Sequence, residues 1–187
     1  EIGRIGHFQV AELPNNIQPT LSVTYRYRLH DALYIFTNGI QGAYVEVDID
    51  TGFIKLLNHW VVEDCGRVIS PQLADEQVRG GCVQGIGGAL YEECVYNEAA
   101  QLQNGTLADY LTPMAGEMPD INVYHIQTPT SVSELGAKGV GESPTVGAPP
   151  AIVNAVVDAL SHLGVKHIDI PMTPEKVWRA IHKQDAA

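Results

Sequence analysis

The run from Pro71 to about Val95 spaces its apolar residues as a helix does, at Leu73, Val78, Val83, Ile86, Leu90 and Val95, yet it contains five glycines: Gly80, Gly81, Gly85, Gly87 and Gly88. Each glycine costs a helix about 0.5–1 kcal/mol against alanine. A helix of this composition therefore needs something packed tightly against it, and close approach of its backbone to another helix, a strand or a ligand is the usual reason. Ser70-Pro71 marks its start, with serine as N-cap and proline at the first helical position. Such a helix needs a built core around it. The chain can supply one: 187 residues, 45% hydrophobic and 18% charged, is a globular composition.

Around this helix the patterns are mostly of period two. Alternation from Leu21 to Leu29 predicts a half-buried strand, and Leu33 to Thr37 continues it. Ala43 to Ile49 alternates again, Asp50-Thr51-Gly52 predicts a tight turn, and Phe53 to Val62 returns, which together make a β-hairpin. Ile121 to Thr128 and Val165 to Ile170 also predict strands. Ala151 to Leu163 predicts a helix with an apolar face, and Thr173-Pro174 begins a last helix over 175–182. Residues 1–19 predict an irregular lead-in, broken by Pro14 and Pro19. The elements do not alternate as regular βαβ units, so the fold class expected is α+β, with mixed or antiparallel sheets and packed helices.

Charge and cysteines exclude several functions. Lys plus Arg total 11 against 22 for Asp plus Glu, and no Lys or Arg occurs from Gly80 to Ala137. Nucleic-acid binding needs a basic stripe, so none is expected. No apolar run approaches the roughly 20 residues of a membrane span. Cys65, Cys82 and Cys94 form no C-x-x-C pair and suit no zinc or iron–sulfur framework. They predict reduced thiols, and the chain itself is expected to ligate no metal.

Two glycine-rich segments carry chemistry: Gln77 to Gly88, and Gly136-Ala137-Lys138-Gly139-Val140-Gly141-Glu142-Ser143. A dinucleotide fingerprint fails because Leu90 stands where its third glycine should be, and a phosphate loop fails because Lys138 precedes its glycines. Gln77 and Gln84 lie two helical turns apart, near one face, and their amides can both donate and accept, as a polar heterocycle requires. A loop around Gly139 and Gly141 can aim N–H groups at an anion or oxo group. Glu142, beside it, is a surface residue, a first-turn stabiliser or a general base.

Asp64-Cys65-Gly66-Arg67-Val68-Ile69-Ser70-Pro71 resembles the D-x-G-x-x-[IL]-[NS]-P stretch of the xanthine oxidase and aldehyde oxidase family of molybdenum hydroxylases, with serine where asparagine is more usual. Gln77 to Gly87 resembles its Q-x-x-G-x-x-x-Q-G-[IL]-G segment, and Lys138 to Glu142 its K-[AG]-[VI]-G-E loop. Ala43 to Gly52 resembles the hairpin before the first block. The blocks keep the family's order, and the match runs from about residue 40 to residue 163.

The resemblance implies an oxidoreductase that hydroxylates aldehydes or N-heterocycles with water-derived oxygen, at a molybdenum–pyranopterin cofactor, in its cytosine dinucleotide form for a bacterial source. It makes Glu142 the general base, acting from a semi-buried site, and assigns cofactor contact to Gln77 and to the backbone of Lys138, Gly139, Val140 and Gly141, with Gly80 and Gln84 lining or packing the site. The helical glycines then serve close packing around a buried cofactor. Residues 1–187 become a C-terminal part of the molybdopterin-binding subunit, inactive alone. The partners implied are the rest of that large subunit, a 2Fe–2S subunit or domain, and a flavin (FAD) or cytochrome acceptor. The location implied is cytoplasmic, or periplasmic for an exported complex. Two alternatives stand beside this: a non-catalytic module that keeps the fold, and a carboxylate hydrolase pairing Glu142 with Glu134 or Asp158.

Overall fold

One turn fixes the hairpin. Asp48 Oδ1 accepts the backbone N–H of Asp50 at 2.9 Å and of Thr51 at 3.4 Å, and the Asp48 carbonyl accepts the Gly52 N–H at 2.7 Å. Gly52 sits at φ +76°, which glycine adopts without steric cost. In the computed structural model of the chain, which describes residues 1–16, 22–29 and 34–182, this turn joins β1 (Asn38–Val47) to β2 (Ile54–Asp64) as an antiparallel pair. A register shift between Tyr44 and Val45 leaves Leu57 as the extra residue of a bulge. β3 (Ile121–His125) adds to β2 in parallel, from His59 opposite Ile121 to Glu63 opposite His125, and the sheet order is β1-β2-β3. The mixed sheet is the α+β arrangement expected.

The chain divides into two compact units, Glu1–Asp31 and Ala32–Ala187. In the first, helix α1 (Ile2–Phe8) and a single 3-10 turn, Val10–Glu12, occupy part of the predicted irregular lead-in. The proline signals begin only after this helix, at Pro14. Residues 22–29 belong to no strand, against the sequence expectation, and Val23, Tyr25 and Tyr27 are exposed. Alternation gives a strand only where a neighbouring backbone supplies a ladder. Leu21 and Leu33 lie outside the described residues, and 34–37 are not strand either.

In the second unit, α2 (Pro71–Leu90), α3 (Ser143–Leu160) and α4 (Pro174–His182) surround the core. Val78, Cys82 and Ile86 of α2 meet Ala148, Ile152 and Val156 of α3 over Leu56 and Val61 of the sheet, with Met172 and Val177 closing one side. α2 ends at Leu90 rather than near Val95, where the N–H groups of Tyr91 and Glu92 both turn back to the Gly87 carbonyl. α3 begins eight residues before the predicted start at Ala151. The pair Pro149-Pro150 reads as a stop, since an interior proline costs a helix about 3 kcal/mol. Here the ring of Pro149 and the Thr145 carbonyl freed by it lie over Gly85 of α2. Residues 165–170 form no strand, yet Val165 and Ile168 are buried, so this apolar alternation serves packing without a ladder.

The opposite face of the sheet carries Ile40, Tyr44 and Tyr124 at 70, 60 and 57% exposure. Among the described residues no helix is long and apolar enough to cross a membrane.

Candidate functional site

The glycine loop is tied to the end of β2. The Arg67 N–H donates to the Gly136 carbonyl at 3.0 Å, and the Lys138 N–H to the Cys65 carbonyl at 2.8 Å. The Lys138 ammonium lies 3.1 Å from Asp64 Oδ2 and donates to Thr128 Oγ1 at 2.7 Å, with little of either charged side chain exposed. Burial opposes ionisation of Asp64. It is outweighed by hydrogen bonds from the Thr128 hydroxyl, the N–H groups of Thr128 and Gly66, and Lys138, which hold its carboxyl well below the usual range. The charge of Lys138 is thus spent on anchoring the loop.

Beyond Lys138 the loop opens. The Gly139 N–H reaches the Ile35 carbonyl at 3.3 Å. The N–H groups of Val140, Gly141 and Glu142 have no partner among the described residues. They precede the 18-residue α3, whose positive end favours negative charge. Gln77 Nε2 donates to the Gly141 carbonyl at 3.0 Å, and Thr145 Oγ1, in the first turn of α3, donates its one hydrogen to the Gly81 carbonyl at 3.1 Å and lies 3.3 Å from Gln84 Oε1. Gly80 lies between the two glutamines on an exposed stripe, and a Cβ built there meets no atom within 4 Å. The structure therefore brings Gln77, Gly80, Gln84, Gly141 and Glu142 to one seam between α2 and the start of α3. Of the backbone from Lys138 to Gly141, the N–H groups of Val140 and Gly141 are the ones free to bind.

Glu142 occupies the N-cap position of α3, and among the described residues its carboxylate makes no hydrogen bond or ion pair. It is exposed in this chain. Its three neighbours are held instead. Gly141 is held through Gln77. Ser143 Oγ donates to Glu63 Oε2 at 2.9 Å, and Gln41 Nε2 donates to the Pro144 carbonyl at 2.9 Å. Glu63 is 1% exposed, and its other oxygen accepts the Thr37 hydroxyl at 2.6 Å. Room for it comes from Gly39, where a Cβ would lie 2.7 Å from Glu63 Oε2.

Gln41 also fixes a proton. The Pro144 carbonyl can only accept, so the Gln41 amide nitrogen faces it and Oε1 faces His59 Nε2 at 2.9 Å. His59 therefore carries its proton on Nε2, and its buried Nδ1 has no partner among the described residues. Burial lowers the ring's pKa from 6.5 to about 4. The Cys82 thiol, 3.7 Å from Gln41 Oε1, is pushed up to about 12 by burial, with the Glu63 charge adding to it.

Sequence reasoning missed Gln41, Glu63, Ser143 and Thr145. Glu63 had a signal, a lone carboxylate in line with the inward-facing Val61. Two of the glycines make the close approach to another helix that was one of the expected reasons for them: Gly81 and Gly85 face α3 directly, with Cβ positions 2.9 Å from Pro144 Cβ and 2.8 Å from Ala148 Cβ. The hydrolase pairing with Asp158 fails, since Asp158 lies sixteen residues along α3, about 24 Å at 1.5 Å per residue. Glu134 is exposed and makes no bond to Glu142. Among the described residues no three His, Cys, Asp or Glu side chains converge as metal ligands, and all three cysteines are free thiols.

Residues 6–119 match a family model described as a molybdopterin cofactor-binding domain. The chain is 44% identical over 146 residues to the nicotine 6-hydroxylase large subunit of Paenarthrobacter nicotinovorans, covering 78% of this chain and 18% of that one. It is 35% identical over 174 residues to the carbon monoxide dehydrogenase large chain of Hydrogenophaga pseudoflava, covering 93% and 21%. Among solved structures, the quinoline 2-oxidoreductase of Pseudomonas putida 86 superposes with a TM-score of 0.81 at 40% identity, over 96% of this chain and 22% of that one. The chain thus spans about a fifth of the length of these relatives.

Proposed function

The chain belongs to the xanthine oxidase family of molybdopterin-binding subunits, and from that premise we propose that it forms one wall of a molybdenum hydroxylase active site, with Glu142 as general base. The observation that carries this reading is the seam itself: a carboxylate and three N–H groups with no partner among the described residues, and two amide side chains, on one exposed edge. The donor set fits a pyranopterin, a polar heterocycle bearing phosphate. Val140, Gly141 and Glu142 would offer N–H groups to its anionic parts, while Gln77 and Gln84 would offer amides to its ring edges. The open space at Gly80 would let the group approach α2 closely.

When bound, the molybdenum cofactor supplies the redox capacity that the protein lacks. Glu142 accepts on a carboxylate oxygen the proton released as water-derived oxygen is delivered to the substrate carbon. A carboxylate with no partner among the described residues is available for that transfer, and a general base of this kind contributes on the order of 100- to 10,000-fold. The cofactor is proposed in its cytosine dinucleotide form, and the electrons leave through 2Fe–2S and FAD or another acceptor on partner subunits. Two relatives at 40% identity or more are named for nicotine and quinoline, which favours an N-heterocycle as substrate over an aldehyde or carbon monoxide. We place the complex in the cytoplasm.

The test is Glu142→Gln in the complete enzyme assembled with its partner subunits. The variant is expected to keep its molybdenum and to lose turnover by on the order of 100-fold or more. Unchanged turnover, or a parent enzyme free of molybdenum, would sink the reading.

A further inference from the structure

We infer that Glu63 and Gln41, both outside the exposed seam, are positioning residues that fix the backbone on which Glu142 is mounted. This rests on the reading of Glu142 as the base.

Glu142 and its neighbours are held in opposite ways. A base on a loop has two sources of misplacement: its own rotamers and the wander of its backbone. Glu142 keeps its side chain free, with no hydrogen bond or ion pair among the described residues. Yet the residue before it and the two after it are each bound to a different element. Gly141 is bound by Gln77 from α2, Ser143 by Glu63 from β2, and Pro144 by Gln41 from β1. Three separate elements thus converge on four consecutive residues.

Glu63 is an unusual choice for a purely structural link. A carboxylate at 1% exposure is costly to bury, and Glu63 has no ion-pair partner among the described residues. Two hydroxyls face it, from Ser143 and from Thr37, whose one hydrogen also has the Asp64 carbonyl within reach at 2.8 Å. A hydroxyl bonded to a charged acceptor is held more strongly than one bonded to a neutral amide, so replacing the carboxylate by an amide weakens the hold on Ser143. Gln41 is fixed from its far side by the His59 ring, which is fully buried, so its amide cannot turn away from Pro144. The groups that hold Glu142 in place are therefore themselves held by the core, which is what a preorganised site requires.

The test uses the complete enzyme with its partner subunits and compares Ser143→Ala, Ser143→Thr, Glu63→Gln and Glu142→Gln. Groups that orient a reacting residue typically cost about 10–100-fold when removed. Ser143→Ala and Glu63→Gln should lower kcat by about that range with KM and molybdenum content unchanged. Amide hydrogen exchange at Val146, whose N–H donates to the Glu142 carbonyl, should accelerate in both. Ser143→Thr keeps the hydroxyl and should restore kcat and protection. The Ser143→Ala change sits at the helix start and bears on the question even where Glu63→Gln fails to fold. Parent-like kcat in Ser143→Ala, with Glu142→Gln inactive, overturns the positioning role and leaves the base intact. A fall in kcat that only tracks lost molybdenum overturns it as well, because the link would then serve cofactor retention. A fully active Glu142→Gln removes the base, and this inference with it.

Discussion

His59 is neutral in the folded chain because burial disfavours its charged form, and this gives the protein a pH-dependent stability with a definite sign. Below 6.5 the unfolded chain takes up a proton that the folded ring refuses until about 4. Stability is therefore full above 6.5 and declines as pH falls toward 4, by up to about 3 kcal/mol at 1.36 kcal/mol per pH unit. Denaturant midpoints measured between pH 7.5 and 4.5 should fall in the parent. In His59→Gln, which cannot titrate there, that component should be missing, and an unchanged slope would discount the ring. The residue scale is also where the sequence was least informative. Lys138 to Glu142 stand out by composition, and Gln77 by spacing. Gln41 and Glu63 do not, because their roles depend on which strand faces which helix, and no local pattern records that. Even Lys138 is only half legible: the motif marks it, but its ammonium turns out to serve Asp64.

At the scale of elements, the hairpin and α2 were legible because their signals are local. Asp48 to Gly52 is a complete turn, and Ser70-Pro71 a complete helix start. The start of α3 was not legible, because the pair Pro149-Pro150 argues against helix and the compensation comes from another element. Residues 22–29 and 165–170 alternate without forming strands, since alternation reports which side chains are apolar and not whether a ladder forms. The glycines of α2 separate by the same logic. A Cβ on Gly85 would meet Ala148 Cβ at 2.8 Å and the Thr145 carbonyl at 2.9 Å, neither of which can swing aside. Gly85→Ala should therefore destabilise by roughly 1–3 kcal/mol through overpacking, in spite of the better helix former. Gly88 faces open space, and Gly88→Ala should stabilise by about 0.5–1 kcal/mol. Unfolding midpoints of the two variants, moving in opposite directions, would check the assignment.

The whole chain is a fifth of the length of its relatives, and its surface agrees with that. The sheet face bearing Ile40, Tyr44 and Tyr124 is apolar and exposed, as a face meant for further chain would be. The isolated chain is expected to bind a hydrophobic dye strongly, to retain no molybdenum and to oxidise no N-heterocycle. Co-expression with the remaining part of a large subunit should suppress the dye signal. Strong dye binding that persists in the assembled enzyme would count against this use of the face.

The seam between α2 and α3 has one more consequence. Because Gly81 and Gly85 let α3 settle directly onto the α2 backbone, the distance from Gln77 and Gln84 to the Glu142 loop is set by two missing methyl groups. Those glycines work as a spacer gauge: a methyl on either would push the helices apart and lengthen the Gln77–Gly141 and Thr145–Gln84 contacts that tie the Glu142 loop to α2.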